Sequence, residues 1–159
     1  MKRLLLPFVA ALLLGPSLLA LGQQTPPAAK EAYAPGLGEF MIQTQVRHHK
    51  LWLAGSAANW ELADYEIDEL KEGLEDLTKL LPVYKDIQVG RMVASIMTAP
   101  IAAVETAIKG RDRGKFNAAF DKLSGACNDC HAASNRGFIV IQRPGPGQFS
   151  NQSFAPRPR

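Results

Sequence analysis

Cys127-Asn128-Asp129-Cys130-His131 is the stretch of this chain where residue type and spacing together specify a chemistry. Two thiols three positions apart can each add across one vinyl group of a haem, and the histidine that follows then sits beneath the iron as an axial ligand. The chain has 2 cysteines, so no further thiol competes for either position. Other chemistries fit less well. A structural zinc site asks for about four ligands, usually as two separated pairs. The only other histidines are His48 and His49, and there is no second cysteine pair. A thioredoxin-like redox pair follows a strand in a βαβ pattern, whereas an amphipathic helical pattern precedes Cys127. A disulfide between residues this close would close a very small loop and stabilise little.

Four helical patterns must position this motif. The first covers residues 37–54, with Leu37, Met41, Thr44, His48, Leu51 and Gly55 on one stripe and Phe40 and Trp52 flanking it. Residues 55–58 read as a weak break, and Asn59 as the N-cap of the next helix. In the second, Trp60, Ala63, Ile67, Leu70, Leu74, Leu77 and Leu81 alternate spacings of three and four. Its many carboxylates, Glu66 and Glu69 among them, read as a solvated face rather than a catalytic cluster. Pro82 ends it. The third covers 84–108, with Pro100 inside as a kink or interruption and Gly110 as the closing residue. Asp112 caps the fourth, where Phe116, Phe120, Leu123, Cys127 and Cys130 share a stripe. The motif thus continues the apolar face of the last helix, which puts a porphyrin between that helix and its neighbours.

The two ends are of different material. Lys2 and Arg3 precede an almost wholly apolar run over 4–21, then small residues and Gln23. This is the pattern of an export signal over residues 1–22, and Pro7, Gly15 and Pro16 argue against a retained membrane anchor. A flexible segment is expected over 23–36, a haem domain over 37–141, and a disordered Pro/Gly-rich tail over 142–159. The short apolar run 138–141 reads as an extended segment lying on the domain, because a lone strand would have no partner. The length between the tails suffices for one core. The net charge of +3 falls close to balance without Lys2 and Arg3. With no concentrated basic face, nucleic acid is not an expected partner.

Four amphipathic helices, a Cys-x-x-Cys-His late in the fourth and an export signal resemble the cytochrome c-prime superfamily, the class II cytochromes c. The resemblance implies an all-α, antiparallel four-helix bundle in the periplasm carrying one covalent haem c. It implies thioether bonds at Cys127 and Cys130, with His131 as proximal ligand. In that family the first helix covers the distal face and often carries an arginine near the propionates. Arg47 is the matching residue, which would put Leu51 near the open side of the iron. Trp52 and Trp60 read as packing residues, with the porphyrin edge as one surface they could pack against. This chain departs from the pattern in its adjacent His48 and His49, its long tail, and the short link between the second and third helices.

Three distal arrangements are compatible with the sequence. His48 lies mid-stripe and can reach the iron, Met41 lies two turns earlier on the same face, or neither binds and Leu51 or Trp52 crowds the site. No nucleophile–base pair is visible, so the expectation is an electron carrier rather than an enzyme. The alternative is a haem protein that binds or senses nitric oxide or carbon monoxide at an open site. Redox proteins are the expected partners. The resemblance also allows a homodimer through the first two helices, and a membrane only if the signal is retained.

Overall fold

The computed structural model describes residue 33 and residues 35–145. The expected export signal, most of the segment 23–36 and the tail beyond 145 lie outside the described residues. Within them the protein is all-α. Four helices follow one another: α1 (Leu37–Ser56), α2 (Trp60–Leu80), α3 (Val89–Lys109) and α4 (Arg113–Ala133). Among the described residues no strand forms, and an isolated bridge pairs Tyr84 with Ile87 between α2 and α3.

Local chemistry sets the helix ends. The Asn59 side-chain oxygen accepts the Leu62 N–H at 3.3 Å, and an Asp112 carboxylate oxygen accepts the Lys115 N–H at 3.0 Å. Both satisfy donors that a helix start leaves bare. Three helices end on a left-handed residue: Ala58 (φ 55°), Arg111 (φ 50°) and Asn135 (φ 58°). The amide just beyond each turns back to a helix carbonyl, Asn59 to Ala54 at 2.9 Å, Asp112 to Ala107 at 3.2 Å and Arg136 to His131 at 2.7 Å. Gly110, expected to close α3, keeps a φ of −74°, and Arg111 takes the left-handed position instead.

Two expectations about α3 change. It begins at Val89 rather than near residue 84, because Tyr84 and Ile87 exchange backbone hydrogen bonds at 3.0 Å in both directions. Lys85 at φ 56° makes that tight turn possible. The helix also runs through Pro100 without a break. Proline has no N–H for the carbonyl of residue 96, and its ring crowds that carbonyl. A wider π turn at Val93–Met97, just upstream, absorbs the mismatch. By length and composition α3 is apolar enough to cross a bilayer. Its buried residues Val89, Met97, Ile101, Val104, Ala107 and Ile108 lie in the core, while Arg91, Ser95, Thr98, Thr106 and Lys109 are exposed.

Sequence neighbours pack together, α1 on α2, α2 on α3 and α3 on α4, and α4 also meets α1. The core they enclose includes Leu51, Ile67, Leu70, Leu77, Val104, Phe116, Phe120 and Leu123, all nearly inaccessible. α1 continues through Gly55, which is no break. A Cβ there would lie 2.1 Å from the Phe116 ring, so glycine lets that ring lie directly on the α1 backbone. Glu66 is not on the solvated face of α2 but buried, because Arg47 reaches across from α1 to pair with it at 3.2 Å and with Glu69 at 2.7 Å.

Candidate functional site

All four helices and the segment after α4 line one cleft of about 570 Å³. That volume lies in the range of roughly 300–1,000 Å³ typical of cofactor and ligand sites. α4 contributes Cys127, Cys130 and His131, with Ser134 just past its end, which the helical repeat stacks on one side. α1 contributes Leu37, Met41 and His48 from across the cleft. Leu74 and Leu77 of α2 and Val89, Met92 and Met97 of α3 make the remaining helical walls. Ile139 and Ile141 close the side next to His131.

Both cysteines are free thiols. Burial, with the neighbouring Cys130, pushes the Cys127 thiol up to about 12. Burial and then the Asp129 carboxylate raise Cys130 as well. Thiol–disulfide exchange and zinc ligation need the thiolate, which usually comes from a lowered pKa. This pair is tuned the other way and stays protonated at neutral pH. The surroundings therefore oppose a redox dithiol and leave two neutral thiols facing an apolar cavity.

His131 has its tautomer set by one contact. Its Nδ1 lies 2.8 Å from the Ile139 carbonyl oxygen, which can only accept a hydrogen bond. Nδ1 therefore carries the proton, and the Nε2 lone pair is left for a metal. A ligating histidine commonly has this second-shell arrangement.

His48 is in the opposite state. It is 4% exposed, and its ring packs on Phe120 at 4.3 Å between centroids. Its Nε2 is 2.8 Å from Ser124 Oγ. The Ser124 hydroxyl donates its single hydrogen to the Phe120 carbonyl at 3.0 Å. With that hydrogen committed, the contact needs a proton on His48 Nε2, since two lone pairs would otherwise face each other. Burial, aided by the charge of His49, pushes His48 down to about 4, so the ring is neutral. Nε2 is thereby a donor to Ser124. Met41 shares the cleft with the motif, and its thioether is half-buried.

The cleft thus brings together Cys127, Cys130, His131, Met41 and His48. Arg47, Leu51 and Trp52, expected beside a haem, do not line it. Arg47 is turned to Glu66 and Glu69, Leu51 is fully buried in the core, and Trp52 packs on Phe120 at 4.9 Å. The cation that does reach the cleft is Arg136, just past the motif, with its guanidinium 6.0 Å from the Tyr84 ring centre. Sequence reasoning also passed over Met92, Met97 and Ile139. A basic residue soon after the motif was the available signal for Arg136. Met97 on the apolar face of the third helix and Ile139 in the apolar run 138–141 were marked as packing positions, not as cleft residues, and nothing local marked Met92.

The residues present fit a covalently held haem. Two neutral thiols lie one helical turn apart, an imidazole offers Nε2 beside them, apolar walls surround the cavity, and Arg136 can meet an anionic propionate. No family model, curated protein or solved structure matches the chain.

Proposed function

We propose that the protein is an exported, mono-haem c-type cytochrome that carries electrons, built as an antiparallel four-helix bundle of the cytochrome c-prime kind. The short connections and the ring of contacts from α1 through α4 and back to α1 support that topology. Haem would be held through Cys127 and Cys130, with His131 Nε2 as the proximal ligand. The observation that carries the reading is the convergence of these three residues on one apolar cleft, with His131 already in the ligating tautomer.

Bound there, haem supplies a one-electron iron couple. The chain's own part is to hold and insulate it. His131 donates Nδ1–H to the Ile139 carbonyl, which leaves the Nε2 lone pair available. Leu74, Leu77, Val89 and Met97 exclude water, which lowers the local dielectric and favours the less charged iron state. Met41 offers a soft thioether from the opposite wall. Besides the histidines and thiols already assigned, the described lining carries the hydroxyls of Thr44, Tyr84 and Ser134, and those of Thr44 and Ser134 are already given to helix carbonyls.

One observation favours a second reading. With His48 Nε2 committed to Ser124, an iron not reached by Met41 would keep an open position and bind nitric oxide or carbon monoxide. Optical spectra of the ferric and ferrous protein, with and without carbon monoxide, separate the two. Electron transfer is expected to give a six-coordinate, low-spin spectrum that carbon monoxide leaves unchanged, and Met41→Ala is expected to abolish it. A high-spin ferric spectrum with ready carbon monoxide binding would replace electron transfer with gas binding. A colourless protein with the mass of the bare polypeptide would end both.

A further inference from the structure

Beyond α4 the chain folds back along the helix it has just left. Asn135 takes the left-handed turn that reverses the chain, and the Ile139 N–H bonds the Arg136 carbonyl at 2.9 Å. From there three contacts follow in order. The Ile139 carbonyl accepts from His131 Nδ1 at 2.8 Å. The Asn128 side chain brackets Ile141, donating to its carbonyl at 2.9 Å and accepting its N–H at 2.7 Å. Arg143 grips both Asp121 carboxylate oxygens at 2.6 Å, reaches the Asn117 carbonyl at 3.4 Å and lies 4.7 Å over the Trp52 ring.

The order is antiparallel, and the lengths agree. From residue 139 to 143, extended chain covers about 13 Å at roughly 3.3 Å per residue. From 131 back to 121, helix covers about 15 Å at 1.5 Å per residue. The segment is therefore in register with α4 along its whole contact. Arg143, two residues beyond the domain end expected at 141, is part of this strap.

We propose that the strap over residues 136–143 is a positioning device for His131, held by Asn128 and Arg143, and that it sets the redox poise of the site. This rests on the haem reading above. Asn128 is the first spacer residue of the attachment motif, so the motif carries its own bracket for the second shell. A hydrogen bond to Nδ1 makes the imidazole a more basic ligand and favours ferric iron. The Ile139 carbonyl is fixed in place because Ile141, two residues on, is clipped at both its N–H and its C=O. Arg143 anchors the far end through an ion pair that is half exposed, so it is the weaker of the two clips.

The test uses the haem-loaded protein and the variants Asn128→Ala, Arg143→Ala and Asp121→Asn, with midpoint potential and urea midpoint both measured. Asn128→Ala is expected to shift the ferric-to-ferrous ratio about tenfold toward ferrous, a rise of about 59 mV for a one-electron couple. Arg143→Ala removes the whole anchor and Asp121→Asn only its ion pair, so both are expected to give smaller shifts in the same direction, that of Arg143→Ala the larger. A strap that only stabilises the fold would lower the urea midpoint and leave every potential unchanged, and that result would overturn the proposal. If Asn128→Ala fails to accumulate, the two exposed-end variants decide the matter alone. A parent protein without covalent haem defeats the haem reading and this proposal with it. A parent with haem and unshifted variants defeats only the strap.

Discussion

His48 makes the stability of this protein acid-sensitive in a defined window. The ring is 4% exposed, packed on Phe120, and hydrogen-bonded to Ser124. Burial pushes it down from 6.5 to about 4. Between those values the unfolded chain takes up a proton that the folded chain refuses, so stability rises with pH across the window. The contribution is complete above pH 6.5 and is lost as pH falls toward 4. At about 1.4 kcal/mol per pH unit the whole effect is about 3 kcal/mol, of which about 2.5 kcal/mol disappears between pH 7.5 and 4.5. Urea denaturation at pH 7.5, 6.5, 5.5 and 4.5 reads it directly, with His48→Gln as reference. Glutamine keeps an N–H for Ser124 and has nothing to titrate. Carboxylates and the remaining histidines contribute to both curves, so the difference between the two proteins isolates His48. The reasoning fails if parent and variant lose stability in parallel over this range.

Three further perturbations test the packing. Gly55→Ala is expected to destabilise by about 1–3 kcal/mol despite a gain of about 1 kcal/mol in helix propensity, because Phe116 is fully buried and hemmed by Trp52, Trp60 and Phe120. Gly73→Ala meets nothing within 4 Å and is expected to stabilise by up to about 1 kcal/mol, so urea midpoints of the two variants should move in opposite directions. Arg47→Met strands the Glu66 carboxylate, which is 1% exposed, and is expected to cost roughly 2–3 kcal/mol, somewhat less than for a fully buried pair. The same variant should leave the haem spectrum and potential unaltered, and a shifted potential would return Arg47 to the cofactor.

Much of the frame was legible because it depends on one element at a time. The three-and-four spacing of Ile67, Leu70, Leu74 and Leu77 belongs to α2 alone, and all four are buried. Asn59 and Asp112 cap donors only three residues away. Cys127, Cys130 and His131 share the cleft because one helical turn carries them there. What escaped depends on pairs distant in sequence. A periodic stripe gives the apolar side of α1 but not which partner each flank meets. Arg47 is claimed by Glu66 and Glu69, and Trp52 by Phe116 and Phe120. The π turn upstream of Pro100 resolves a clash that periodicity does not register. Proline and glycine after residue 142 do signal the end of packed helix, but Arg143 needs only Asp121 and an aromatic face to stay on the domain.

The two histidines of the cleft bring out the same limit at the level of a single proton. Both fall on apolar stripes, and type and spacing alone make either a ligand. The partners separate them. His131 meets a carbonyl at Nδ1, which can only accept, so Nε2 is left with its lone pair. His48 meets a hydroxyl at Nε2, and a hydroxyl can act either way. That choice is fixed by the Phe120 carbonyl, which takes the one hydrogen Ser124 has. The protonation of His48 Nε2 therefore turns on a residue in α4 that carries no motif and looks, in sequence, like an ordinary helical serine. Replacing Ser124 by alanine would free His48 Nε2 from its acceptor, so the reach of that imidazole toward the cleft is set from the core side rather than from α1.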